Sequence, residues 1–309
     1  MTTNLRTAYG ETLVELGKTN KNIVVLDADL CKSTMGVLFE NSYPDRHFEM
    51  GIAEANMASV AAGLALTGKI PFIASFAAFV PGRCYDQIRT SICIPGLNVK
   101  ICGSSAGLSD FGDGSTHQSI DDIALARLLP GMQVFSPVDA VQTVQIVEYM
   151  ADGNGPMYIR INRNDLPVLT SESQTFTPGS VYTMHEGCDI AVFATGITVS
   201  IALEAAKELA GRGIQAKVLN VPTIKPLDES TVLDICNETK AYITFEEHSI
   251  YGGLGDAVNA IVAPKLARKH IRLGLNDTFG TSAQNYQVLL KHYGFIPETV
   301  IKAAIDILN

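Results

Sequence analysis

Two short stretches carry residues able to move protons. Gly51-Ile52-Ala53-Glu54 stands at the head of an apolar, alanine-rich run over residues 55–66. A carboxyl group entering a buried helix is costly unless it is neutral or paired, and desolvation raises its pKa, so Glu54 can share a proton with a ring nitrogen. Taken alone, Glu54 reads rather as a helix-start glutamate that satisfies the dipole. Downstream, Gly112-Asp113-Gly114-Ser115-Thr116-His117-Gln118 places a carboxylate and an imidazole in a glycine-rich loop. A histidine near neutral pKa exchanges protons with hydroxyl and carbonyl groups, which makes His117 the second candidate for acid–base work.

The elements that must position these residues alternate. Leu5, Ala8, Tyr9, Thr12, Leu13 and Leu16 recur at helical spacing, and residues 22–26 then read as a buried parallel-type strand. Strands are expected at 47–51, 70–74, 98–103, 133–135 and 157–161, with helices at 54–66, 83–93, 121–128 and 140–150 between them. That pattern is a βα series with a mostly parallel sheet covered on both faces. Residues 166–187 turn polar and turn-rich, and a second βα series follows from 189 to the end. The expected organisation is α/β with two doubly wound domains, 1–167 and 188–309, joined by a linker at 168–187.

Composition excludes several classes. The chain has 309 residues, 47% hydrophobic and 18% charged, enough for one large or two medium cores and unlike a disordered chain. A net charge of -9 without a basic run argues against nucleic acid as a partner. No apolar stretch reaches membrane-spanning length. The six cysteines, Cys31, Cys84, Cys93, Cys102, Cys188 and Cys236, form no CxxC pair and read as reduced thiols of a cytoplasmic protein without a signal peptide. His47, His185, His270 and His292 lie in no tight metal spacing and read as ordinary surface or core residues.

Three glycine motifs need separating from their look-alikes. Gly112-Asp113-Gly114 suggests a magnesium–diphosphate site, but the following segment offers no asparagine to complete the metal sphere, so no metal is assigned to it. Thr195-Gly196 has one glycine where a dinucleotide turn needs three. Gly252-Gly253-Leu254-Gly255, after Glu246-Glu247-His248, could cradle an anion on backbone amides or simply pack a helix start against a strand.

The Glu54 and His117 motifs together resemble the pyrimidine-binding half of a transketolase, and Glu246-Glu247-His248 with its glycines resembles that family's C-terminal domain. The resemblance covers nearly the whole chain but only the second half of a full-length member. It implies thiamine diphosphate as cofactor, with Glu54 driving the aminopyrimidine into its imino tautomer, Phe79 stacking on that ring beside Phe76, and Asp29 near the thiazolium. From the residues alone, Phe76 and Phe79 are two core phenylalanines after a strand. The resemblance further implies that Asp113 and His117 contact the sugar hydroxyls and reacting carbon, and that Arg6, Ser33 and Arg163 hold phosphate. Arginine suits that task because its planar donors grip phosphate bidentately. Positions where the family has a third ring-pocket aromatic and two histidines are Gly82, Ser105 and Ala55 here.

The implied function is the carboxy-terminal subunit of a split transketolase, moving a two-carbon ketol unit between sugar phosphates. An N-terminal subunit would hold Mg2+ and the diphosphate, in an assembly with two copies of each chain. Three alternatives stand beside it: an apulose-4-phosphate transketolase subunit, a 2-oxo acid dehydrogenase β-like subunit, which the Asp113–Gln118 loop disfavours, and a noncatalytic scaffold.

Overall fold

A computed structural model describes residues 2–309, Thr2 by its backbone alone. The first half builds a seven-stranded sheet. Its order is Thr223–Lys225, Gln133–Phe135, Met157–Ile161, Lys100–Ser104, Ile70–Phe76, Ile23–Asp27 and His47–Glu49. All neighbours are parallel except the first pair. The central strands are buried end to end, as parallel strands covered on both faces must be. The second sheet has five strands, in the order Lys269–Leu275, Ala241–Ser249, Ile190–Ala194, Ala216–Asn220 and Tyr182–His185.

Most expected elements are present with their ends moved by a residue or two, and three differences have physical causes. The helix expected at 83–93 is broken into Val80–Arg83, Tyr85–Gln87 and a π-helical turn at Ile88–Cys93. Cys84 leaves helical geometry at φ -120° and ψ 27°, and its thiol donates to Val80 O at 2.7 Å. Inside the stretch read as a polar connection, Tyr182–His185 pairs antiparallel with Ala216–Asn220 as an edge strand. Asp165–Pro167 likewise pairs antiparallel with Thr2–Asn4. Such short edge segments have too few residues to display a hydrophobic period. The third difference crosses the halves: Thr223–Lys225, from the second series, closes one edge of the first sheet. Lys225 Nζ donates to Arg127 O at 2.9 Å and Leu129 O at 2.6 Å, holding that edge in place.

Buried polar groups join the two halves. Glu247 is 4% exposed, and its Oε1 accepts from Leu108 N–H and from Tyr286 Oη, both at 2.8 Å. Burial pushes its carboxyl up to about 7. Arg160, paired with Asp122 at 2.9 Å, donates to the Glu247 carbonyl at 3.2 Å. The neighbouring Glu246 answers the question left by the glycines. Its carboxylate accepts from Leu254 N–H at 2.6 Å and Gly255 N–H at 2.7 Å, so the helix Leu254–Val262 starts on an anion supplied by the chain itself. A Cβ at Gly253 would collide with that carboxylate, which explains glycine there.

Glu247→Ala strands the Leu108 and Tyr286 donors in a dry interface and should lower unfolding stability by about 3 kcal/mol. Urea denaturation checks this; a loss below about 1 kcal/mol would show that water or a neighbour replaces the carboxylate.

Candidate active site

Every site residue expected past the first helix follows the C-terminal end of a parallel strand. Asp29 and Ser33 follow Ile23–Asp27, Glu54 follows His47–Glu49, Phe76 and Phe79 end and follow Ile70–Phe76, Asp113 and His117 follow Lys100–Ser104, and Arg163 follows Met157–Ile161. In open α/β sheets ligands bind at that edge, because the loops there converge.

Two turns with left-handed backbone shape the rim. Asp29 has φ 59° and Gly51 φ 69°, and their N–H groups both donate to Glu49 Oε1 at 2.8 Å. One carboxylate thus ties the Asp29 loop to the approach of the Glu54 helix. Glu54 opens the helix Glu54–Leu66 and is 5% exposed. Its Oε1 accepts from Arg83 Nη1 at 2.8 Å. The Phe76 and Phe79 rings stack 5.7 Å apart at 25°, and the His117 ring meets Phe79 edge-on at 5.2 Å. His117 Nδ1 lies 2.9 Å from Thr116 Oγ1. Ala28, Asp29, Leu30, Ile52, Glu54, Phe79, Arg83 and His117 line one cleft of about 260 Å³. A larger groove, about 500 Å³, lies between the first helix and Ala140–Asp152, but its titratable lining is Glu11, Glu15, Glu148 and Glu172 alone. Volume does not choose between them; the mixed donor, acceptor and aromatic lining does.

Arg83 is the residue the sequence reading missed. Its guanidinium lies 3.9 Å from the Phe79 ring centroid while it bonds Glu54, and its side chain is 48% exposed. A planar, nitrogen-bearing cation therefore already satisfies the ring face and the carboxylate, and an aminopyrimidine presents the same two features. The cleft fits that group once the flexible arginine swings toward solvent. Phe79 and Arg83 stand four apart at a helix start, a spacing that could have pointed to the pair.

The expected phosphate residues gather in a second group. Arg6 Nη1 donates to Ser33 O at 3.0 Å, so Ser33 contributes its carbonyl to this contact. Arg163 Nη1 lies 2.5 Å from Asp110 Oδ2. Burial, and then the like charge of Arg163, pull the Arg6 guanidinium down, and its buried Nε has no partner. An anion between the two arginines would relieve both strains. Asp110, also missed by the sequence reading, feels Arg163, Asp113 and His117 together and links the two groups. Burial raises its carboxyl in spite of Arg163. Asp113 itself is exposed on the loop. Ser105 is buried at φ 54° with its hydroxyl unpartnered, and Ala55 is half-buried beside Glu54.

Comparison with known proteins gives this cleft a context. Residues 1–168 match the family model of the transketolase pyrimidine-binding domain, and residues 179–300 that of the transketolase C-terminal domain. A solved structure described as a split gene transketolase, inactive beta4 tetramer, is 44% identical with a TM-score of 0.90, covering 99% of this chain and 98% of that one. The 6-deoxy-6-sulfo-D-fructose transketolase subunit of Clostridium sp. (strain MSTE9) is 40% identical over 98% of this chain and 94% of that protein. Human transketolase is 35% identical over 96% of this chain but only 48% of its own length. The chain belongs to the transketolase family, as the C-terminal section of a split transketolase made of the pyrimidine-binding and C-terminal domains.

Proposed function

We propose that this chain, with an N-terminal partner subunit, transfers a two-carbon ketol unit between sugar phosphates. The observation that carries the reading is the convergence of Glu54, Phe79, Asp29 and His117 on one cleft. Thiamine diphosphate, when bound, supplies a carbon nucleophile able to carry the two-carbon unit. Glu54, largely buried at the cleft wall, holds a proton against the pyrimidine's ring nitrogen, and Phe79 with Phe76 keeps the ring plane aligned. His117 exchanges protons with substrate hydroxyl and carbonyl oxygens. Asp29 faces the thiazolium end, Asp113 orients the sugar, and Arg6, Ser33 and Arg163 hold its phosphate. The domain limits 1–167 and 188–309, with the linker 168–187, belong to the same proposal.

The partner is proposed to hold Mg2+ and the diphosphate, in an assembly of two copies of each chain. The helix Glu54–Leu66 supports this, since it carries no charge after Glu54 and its solvent-facing stripe is Asn56, Ser59, Gly63 and Leu66. Met57, Ala58, Ala61 and Ala62 are buried, while Leu66 and the nearby Ile52 are each 74% exposed. A stripe of small and apolar residues without a charge is a surface that a partner can cover. Ser105 and Ala55, where the family commonly carries histidine, favour a sugar other than the usual pentose phosphate, and a branched sugar such as apulose 4-phosphate is the second reading. Assays of the reconstituted complex against pentose phosphates, apulose 4-phosphate and 6-deoxy-6-sulfofructose decide among them.

Glu54→Gln should abolish most turnover of the assembled complex while folding and assembly persist, because the proposed role is proton sharing. A near-wild-type kcat in a properly assembled variant would remove Glu54 from the mechanism.

Arg163→Ala should raise KM for phosphorylated ketoses far more than for unphosphorylated ones, a difference of about 1.5–3 kcal/mol for one charge-assisted contact. Equal effects on both substrates would mean that Arg163 only neutralises Asp110.

The isolated chain should show neither tight thiamine diphosphate binding by calorimetry with Mg2+ nor turnover, and both should appear on co-expression with the partner. Turnover by the purified single chain would overturn the division of labour.

A further inference from the structure

Cys31, Glu40 and His47 share no motif spacing, yet folding brings them to one point behind the cleft. Cys31 opens the short helix Cys31–Thr34, Glu40 lies in Val37–Ser42, and His47 begins the edge strand His47–Glu49. Cys31 Sγ lies 3.4 Å from His47 Nε2 and 3.5 Å from Glu40 Oε2, and all three ligand atoms lie within 4.8 Å of one another. A tetrahedral ion with bonds of roughly 2.0–2.3 Å to sulfur, nitrogen and oxygen separates its ligand atoms by roughly 3.3–3.7 Å. Among the described residues this is the one cluster of at least three such side chains with that closeness.

We propose that Cys31, Glu40 and His47 form a divalent transition-metal site, with Zn2+ the ion that best suits one thiolate, one imidazole and one carboxylate, and water completing the tetrahedron. On binding, Cys31 releases its thiol proton to solvent and His47 coordinates through neutral Nε2. Its remaining proton then sits on Nδ1, which lies 3.9 Å from Glu40 Oε1. Two further observations fit a cation. Glu40 Oε2 stands 3.5 Å from Cys31 Sγ, and the carboxylates of Asp27 and Glu49 act on the same sulfur, a concentration of negative charge that favours a cation. The His47 side chain is 3% exposed while that of Glu40 is 46% exposed, which gives an ordered base to the site and an open entry.

The consequence is mechanical. His47 and Glu49 lie two apart on one strand, and Glu49 anchors the Asp29 and Gly51 turns. A metal on His47 and Cys31 clamps that strand to the loop that carries Asp29, without itself entering the cleft.

The test uses the full chain with Cys188, the exposed thiol, changed to serine, stripped by chelator and titrated with Co2+ and then Zn2+. One Co2+ per chain is expected, with a thiolate-to-cobalt charge-transfer band and tetrahedral visible bands that Zn2+ abolishes and Mg2+ does not. Cys31→Ala should remove the charge-transfer band and weaken Zn2+ binding by at least about 100-fold, and Glu40→Gln by at least about 10-fold. Circular dichroism reports whether each variant is folded, and if Cys31→Ala fails to fold, the half-exposed Glu40→Gln decides. Absence of the charge-transfer band, its survival in Cys31→Ala, or unchanged affinity in Glu40→Gln would overturn the site.

Discussion

The buried carboxylate of Glu247 is a tie on which both halves of this protein converge. It sits at their seam with its charge satisfied by a backbone amide of the first half and a tyrosine hydroxyl of the second. Burying a carboxyl there is tolerable only because those donors are already in place. The loop after Leu108 is held again at its far end, where Gln118 Nε2 donates to Thr281 O at 2.9 Å, and in between, where Ala283 N–H donates to Phe111 O at 2.8 Å. His117 belongs to the first half by sequence, but the second half decides where it stands. The C-terminal domain therefore acts as a brace for the loop that carries the proposed proton-transfer histidine.

The cleft is organised by competition for a few charges. Glu49 gathers the Asp29 and Gly51 turns, Arg83 links Glu54 to the face of Phe79, and Asp110 holds Arg163 while sensing His117. Each of these groups gains from its present partner, while Arg6 Nε and the Ser105 hydroxyl are buried without one. In the proposed assembly the ring and the phosphate replace Arg83 and fill the space near Arg6, so binding exchanges internal pairs for ligand pairs. That exchange keeps charged groups from being stranded in either state.

Glu54 and His117 stood out as candidates through their motifs, a carboxyl at the head of an alanine-rich helix and an imidazole within a glycine-rich loop, and through the family resemblance those motifs carry together. Arg83 and Asp110 did not, since arginine four residues after a phenylalanine, or aspartate before a glycine loop, occurs on many surfaces. The Cys31, Glu40 and His47 cluster left still less trace, because its members come from two short helices and an edge strand that obey no common period. Thr223–Lys225 was hidden for a similar reason, three residues being too few to reveal which sheet they will join.

Hydrophobic period, glycine placement and local turn chemistry are properties of neighbouring residues, so the sequence by itself determined the βα alternation, the two-part plan and the motifs that carry the candidate site residues. Which carboxylate meets which donor depends on how the chain packs, in some cases across more than a hundred positions, as for Leu108 with Glu247. Those pairings carry no local signature, because a buried charge is satisfied by whatever group the packed fold brings within hydrogen-bond reach. The anion at the Gly252–Gly255 helix start, the brace on the His117 loop and the partner of Glu54 were accordingly settled only by the tertiary structure.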